Sequence, residues 1–107
     1  VFESLKPFDE RVRIKVDGEI NRPPLERTEA VAHLYERARA IASALDFELG
    51  ETSVGGASDG NFAALRCASI LDGLGIDGDG AHAAHEHIIA ENIPQRGALI
   101  AGLIASL

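Results

Sequence analysis

The sequence predicts an α/β fold, with helices on a largely parallel sheet, preceded by a half-exposed strand that belongs to a separate unit. Three observations predict it. Arg11-Val12-Arg13-Ile14-Lys15-Val16 alternates charged and β-branched residues with the period of a half-exposed strand. Asn21-Arg22-Pro23-Pro24 then interrupts the composition with a stiff, extended connector. Beyond it, helical spacing and short apolar runs alternate in the order helix, strand, helix, strand, loop, helix, which favours a parallel sheet covered by helices.

Taken in order, Val12, Ile14 and Val16 are expected to face inward, as in an antiparallel sheet with one wet face. Asp17-Gly18 ends that strand. Each proline of the connector biases its predecessor away from helix, so residues 1–20 and 21–107 are read as parts of two domains. Thr28 caps a helix in which Val31, Leu34, Tyr35, Ala38, Ile41, Ala42 and Leu45 recur at helical spacing, with Glu36, Arg37 and Arg39 opposite. A strand is expected over Phe47–Val54, then a turn over Gly55–Asn61 and a short helix through Phe62–Leu65. Ser69-Ile70-Leu71 and Leu74 read as a buried strand. Asp77-Gly78-Asp79-Gly80 opens a loop that holds three histidines, and Pro94 suits the first turn of a final helix carrying Leu99, Ile100, Leu103, Ile104 and Leu107.

The 107 residues, 46% of them hydrophobic, fit a small globular unit. No apolar run is long enough to span a bilayer; Gly97 to Leu107 reads as a packed terminal helix. The formal charge of −7 argues against a nucleic-acid partner, which would need clustered Lys and Arg. Cys67 is the single cysteine, so the chain forms no internal disulfide and no cysteine zinc site. That fits a reducing, cytoplasmic compartment. The chain starts at Val1 and contains no methionine, and it is expected to be a segment of a longer protein.

Three features could carry chemistry. The glycine-rich turn Gly55-Gly56-Ala57-Ser58-Asp59-Gly60-Asn61 could present backbone N–H groups to a carboxylate or phosphate. It lacks the Lys of a P-loop and the G-x-G-x-x-G spacing, and on the residues alone a plain turn capped by Ser58 or Asp59 accounts for it better. In Gly80-Ala81-His82-Ala83-Ala84-His85-Glu86-His87, three of the four histidines lie close together beside a carboxylate. Neutral imidazole is a good zinc ligand, but the order is neither His-Glu-x-x-His nor His-x-x-Glu-His. Metal ligation and a solvated polar loop therefore both remain open on the residues alone. Arg22 could clamp a substrate carboxylate in two-pronged fashion, or form a local surface ion pair. Asp77 and Asp79 lack the further acidic positions of a calcium loop. His33 is expected at the surface of the long helix, and Cys67 to be packed rather than reactive. If the two predicted strands are parallel, the turn and the His82 loop leave the same sheet edge, where ligands of open α/β sheets bind.

At these residues the sequence resembles the zinc-dependent aminoacylase and glutamate carboxypeptidase family, most of all its glutamate carboxypeptidase-like branch. The resemblance covers nearly the whole chain. Asn21-Arg22-Pro23-Pro24, Gly55 through Phe62, Leu71-Asp72-Gly73-Leu74-Gly75, and Gly80-Ala81-His82 with Glu86 carry it by their order and spacing. It implies a metallopeptidase catalytic domain interrupted by an α+β lid that forms the dimer in many members. Residues 1–20 would end the lid and residues 21–107 would close the catalytic domain. It further implies that His82 binds one of two zinc ions, with cobalt or manganese as alternatives, and that Arg22, Gly56, Ala57 and Ser58 lie beside a substrate bearing a free carboxylate. The substrate would be an N-acyl amino acid or peptide cleaved at its amide bond. The other ligands and the glutamate general base would lie upstream, so no catalytic residue is expected in this chain and no activity from it alone. Cys67 and Ser69 stand where the family often has Gly and Pro. His85 replaces a usual Asp or Asn, and His87 a common aromatic. Two alternatives accompany this reading: a non-enzymatic module that associates through the edge of Arg11–Val16, and a family member whose metal site is lost.

Overall fold

Thr28 begins the longest helix, α1 (Glu29–Ala44), in the computed structural model of the chain, which describes residues 2–107. The Thr28 hydroxyl accepts from the Val31 N–H at 3.3 Å, giving a partner to one of the donors that a helical first turn leaves unpaired. Beyond Ala44 the Asp46 N–H donates to the Ser43 carbonyl (3.2 Å) and the Phe47 N–H to the Ala42 carbonyl (3.1 Å). This closure needs a left-handed residue just past the cap, and Asp46 occupies it at φ 58°.

The final helix, α3 (Ile93–Ser106), has Pro94 in its first turn, where a missing N–H costs no hydrogen bond. Between the long helices, the one-turn helix α2 (Gly60–Ala63) follows the glycine-rich turn. Ala38 and Ala42 of α1 are small enough to admit Leu99 and Leu103 of α3, and these four residues with Leu49 form the buried core. Leu34, Tyr35, Ile41, Leu45, Phe47, Leu71 and Leu74 pack around it. Polar contacts fix the same junction. The Tyr35 hydroxyl donates to the Leu49 carbonyl at 2.8 Å, and the Gln95 amide donates to the Leu45 carbonyl at 3.3 Å.

The expected parallel sheet is not formed among the described residues. Their sheet consists of β1 (Gly78–Asp79) and β2 (His87–Ile88), two short antiparallel strands with Gly78 opposite Ile88 and Asp79 opposite His87. The architecture is a helix pair with long irregular connections and one small hairpin, not helices on a parallel sheet. Residues 47–54 and 69–74 form no strand. Leu49, Leu71 and Leu74 are nonetheless used, because they pack on the helices; a short apolar run looks the same whether it is buried in a ladder or under a helix. Gly73, at φ 74°, turns the second run aside.

The Arg11–Val16 strand is also not formed. Val12, Ile14 and Val16, expected to face inward, are 51%, 46% and 47% exposed. A strand draws its stability from a neighbour's ladder and side chains, and no described segment pairs with this one. Cys67 is exposed rather than packed, its thiol directed at the Ser69 carbonyl. These open segments give a radius of gyration of 19.6 Å, against about 13 Å for a compact chain of 100 residues. Among the described residues no helix is long and apolar enough to cross a membrane.

Candidate substrate clasp and histidine hairpin

Two sequence blocks 38 positions apart meet at Asn61. The Asn61 amide donates to the Pro23 carbonyl at 2.9 Å, and its carbonyl oxygen accepts from the Ser58 N–H at 2.9 Å. The Ser58 hydroxyl in turn accepts from the Gly60 N–H at 3.0 Å. That exchange caps the turn ahead of α2 rather than the helix itself, whose N-cap, Asp59, makes no side-chain capping bond. Asn61 is 8% exposed, and burial makes both of its partners matter, since an unpaired buried amide is costly. Arg22, next to Pro23, donates to the Ser58 carbonyl at 3.4 Å, and its guanidinium lies 4.7 Å from the centroid of the Phe62 ring. Stacking of this kind holds a guanidinium plane while leaving N–H groups at its edge. Arg22 and Ser58 are thus together, whereas Gly56 and Ala57 stand exposed in the turn beside them.

The histidines lie on the β1–β2 hairpin. Glycine is required at both ends of β1. A β-carbon at Gly78 would overlap the His87 carbonyl oxygen, and one at Gly80, whose φ is 72°, would stand 2.6 Å from His85 Cδ2. Within the loop the Ala83 N–H donates to the Gly80 carbonyl at 2.8 Å and the Glu86 N–H to the Ala83 carbonyl at 3.1 Å. His82 adopts φ 67°, a left-handed conformation that a β-carbon disfavours. Its N–H donates to the Glu86 carboxylate at 3.2 Å, and the residue is exposed. His87 Nδ1 lies 3.0 Å from the His85 carbonyl oxygen; that oxygen only accepts, so Nδ1 is the donor.

The base of the hairpin is fastened to α3. The Asp77 carboxylate accepts from Arg96 Nε at 3.0 Å and from its Nη2, and from the Asn92 amide at 3.0 Å. The Asp77 carbonyl accepts from the Ile89 N–H at 2.8 Å. The Arg96 guanidinium, with help from Asn92, holds the Asp77 carboxyl below the usual carboxylate range.

Among the described residues no group of three His, Cys, Asp or Glu side chains could hold a metal ion. His82, His85 and His87 therefore do not fit a local three-ligand zinc centre. The sheet-edge reasoning that put the glycine-rich turn and His82 on one side has no frame here, because neither preceding run is a strand. The sequence reading also missed two residues. Asn61 was legible as the fourth residue of a Ser-x-x-Asn turn, but Arg96, 19 positions from Asp77, left no local signal. His33 is exposed, as expected. No family model matches the chain, and no curated protein or solved structure matches it.

Proposed function

We propose that this chain is a segment of a zinc-dependent amide hydrolase of the aminoacylase and glutamate carboxypeptidase kind, contributing His82 as one metal ligand and Arg22 as a carboxylate clamp. The observation that carries this reading is the backbone of His82. A residue with a β-carbon is held at φ 67° where glycine would be less strained, with its N–H tied to Glu86 and its ring exposed. Strain of this kind persists where the surroundings over-determine it and accompanies functional side chains. Zinc, when bound, supplies Lewis-acid polarisation of the scissile carbonyl. The residues of this chain do the rest of what is assigned to it. Asp77 and Arg96 fix the hairpin, Glu86 orients the His82 backbone, and Arg22 offers its free guanidinium edge to the carboxylate of an N-acyl amino acid or peptide. The general base and further ligands are assigned to sequence upstream of this segment.

A second reading, an association module without catalysis, is favoured by the exposed Val12, Ile14 and Val16, whose segment pairs with no strand of this chain among the described residues and could join a second copy. The discriminating experiment is metal analysis of the complete gene product and its His82→Ala variant, with hydrolysis of a panel of N-acetyl amino acids. Loss of about one zinc equivalent and of hydrolysis in the variant supports the hydrolase. Unchanged zinc and unchanged hydrolysis overturn the role of His82, and a wild-type protein with neither favours the association module.

A further inference from the structure

We infer that Asn61 is a positioning residue that sets the geometry of the carboxylate clamp, an inference that rests on the hydrolase reading above. The two halves of that clamp come from different places. Arg22 sits on the connector, and the exposed backbone of Gly56 and Ala57 sits on the turn. The Arg22 guanidinium itself meets the turn side through one long hydrogen bond, Nη1 to the Ser58 carbonyl at 3.4 Å, and the face of Phe62, contacts that orient its plane but do not fix the backbone of the connector against the turn. The short contacts that join them both belong to Asn61: 2.9 Å to the Pro23 carbonyl and 2.9 Å from the Ser58 N–H.

The choice of Asn at the fourth position of this turn follows from this. A carboxylate would still accept from the Ser58 N–H, but it has no donor for the Pro23 carbonyl. Only a side chain with an acceptor and a donor on one short stem serves the turn and the connector together. One consequence concerns the clamp itself. The Ser58 N–H is engaged by Asn61 and the Ser58 carbonyl by Arg22. The donors left for a substrate carboxylate are therefore the remaining Arg22 N–H groups and the N–H groups of Gly56 and Ala57, with Ser58 acting as the strut between them.

Asn61→Asp separates the two duties, since it keeps the turn and removes the donor to Pro23. The test uses the complete gene product and steady-state kinetics on the N-acetyl amino acid that the wild type hydrolyses, with the same compound as its primary amide for comparison. In N61D, KM for the acid is expected to rise roughly tenfold with kcat within about twofold, while the amide is handled as by the wild type. Arg22→Ala should raise KM for the acid similarly, and N61D/R22A should be no worse than R22A, because the two residues act through one clamp. A merely structural role predicts otherwise: equal losses with both compounds, or additive losses in the double variant. Either result overturns the inference, as does an unchanged KM in N61D. Should N61D not fold, Asn61→Ser serves the same comparison, since its hydroxyl, carried directly on Cβ, is too short to span from the Ser58 N–H to the Pro23 carbonyl as the amide does. A wild-type protein that hydrolyses no N-acetyl amino acid removes the hydrolase reading and this inference with it. Hydrolysis with normal N61D kinetics removes this inference alone.

Discussion

Replacing His82 by glycine and by alanine separates the backbone cost of the hairpin from its chemistry. At φ 67° a β-carbon costs roughly 1–2 kcal/mol. Glycine removes that cost but returns roughly 0.4–1 kcal/mol through the greater freedom of its unfolded chain. The difference leaves His82→Gly about 1 kcal/mol better than His82→Ala in keeping the hairpin closed, and both lack the imidazole. Native-state hydrogen exchange reads this locally. The Glu86 and Ile89 amides, bonded to the Ala83 and Asp77 carbonyls, should be about fivefold better protected in H82G than in H82A. Asp46, at φ 58° in the closure of α1, provides the reference. There D46G should exceed D46A by a similar margin, read as a higher melting temperature of the helix pair. Equal or better protection in H82A would show that position 82 is not left-handed in solution, and the strain that motivates its functional role would be gone. If D46G and D46A differ as expected and H82G and H82A do not, the fault lies with the hairpin and not with the energetic reasoning.

Other outcomes follow from the core and the hairpin base. Leu99→Ala removes a side chain with no exposed surface and should destabilise the helix pair by about 2–5 kcal/mol. That is a large share of the roughly 5–15 kcal/mol available to a small protein, so the urea midpoint should fall sharply; a loss below about 1 kcal/mol would mean the α1–α3 contact is not the core in solution. Asp77 has a folded pKa depressed by Arg96 and Asn92, so its contribution is present above the unfolded value of roughly 4 and is lost as pH falls through the folded value. The Ile89 amide should lose protection in that acid window. Asp77→Asn should abolish the acid step, and persistence of the step in that variant would assign it to another carboxylate.

The two long helices were legible because each carries its own signals. Thr28 and Pro94 mark the starts, and Ala38, Ala42, Leu99 and Leu103 recur at the spacing that the packed faces use. The runs expected as strands were not, and for a single reason. A helix closes its hydrogen bonds within itself, whereas a strand closes them with a partner, and residues 11–16, 47–54 and 69–74 have none among the described residues. Their apolar residues met different fates accordingly. Leu49, Leu71 and Leu74 found the helices, while Val12, Ile14 and Val16 found solvent. At the site, the nearness of Arg22 to the glycine-rich turn was implied by the family resemblance alone. What joins them was not, because Asn61 to Pro23 is a contact across 38 positions and spacing rules reach only one or two helical turns.

Clasp and hairpin are linked by residues 64–76, whose Leu71 and Leu74 pack on the helix pair. No hydrogen bond or ion pair among the described residues runs between them. The clasp is tied to the α1 end of the structure where the Thr28 hydroxyl donates to the Ala68 carbonyl at 3.4 Å and where Arg27 pairs with Glu51 at 2.8 Å. The hairpin is tied to α3 through Asp77 and Arg96. Both therefore lean on the same core, in which Ala38 and Ala42 meet Leu99 and Leu103. Loops that carry function are positioned by the rigid elements beneath them, and here those elements are two helices sharing a core of five buried residues. So small a core leaves much apolar surface uncovered, Val12, Ile14, Val16 and Ile20 among it.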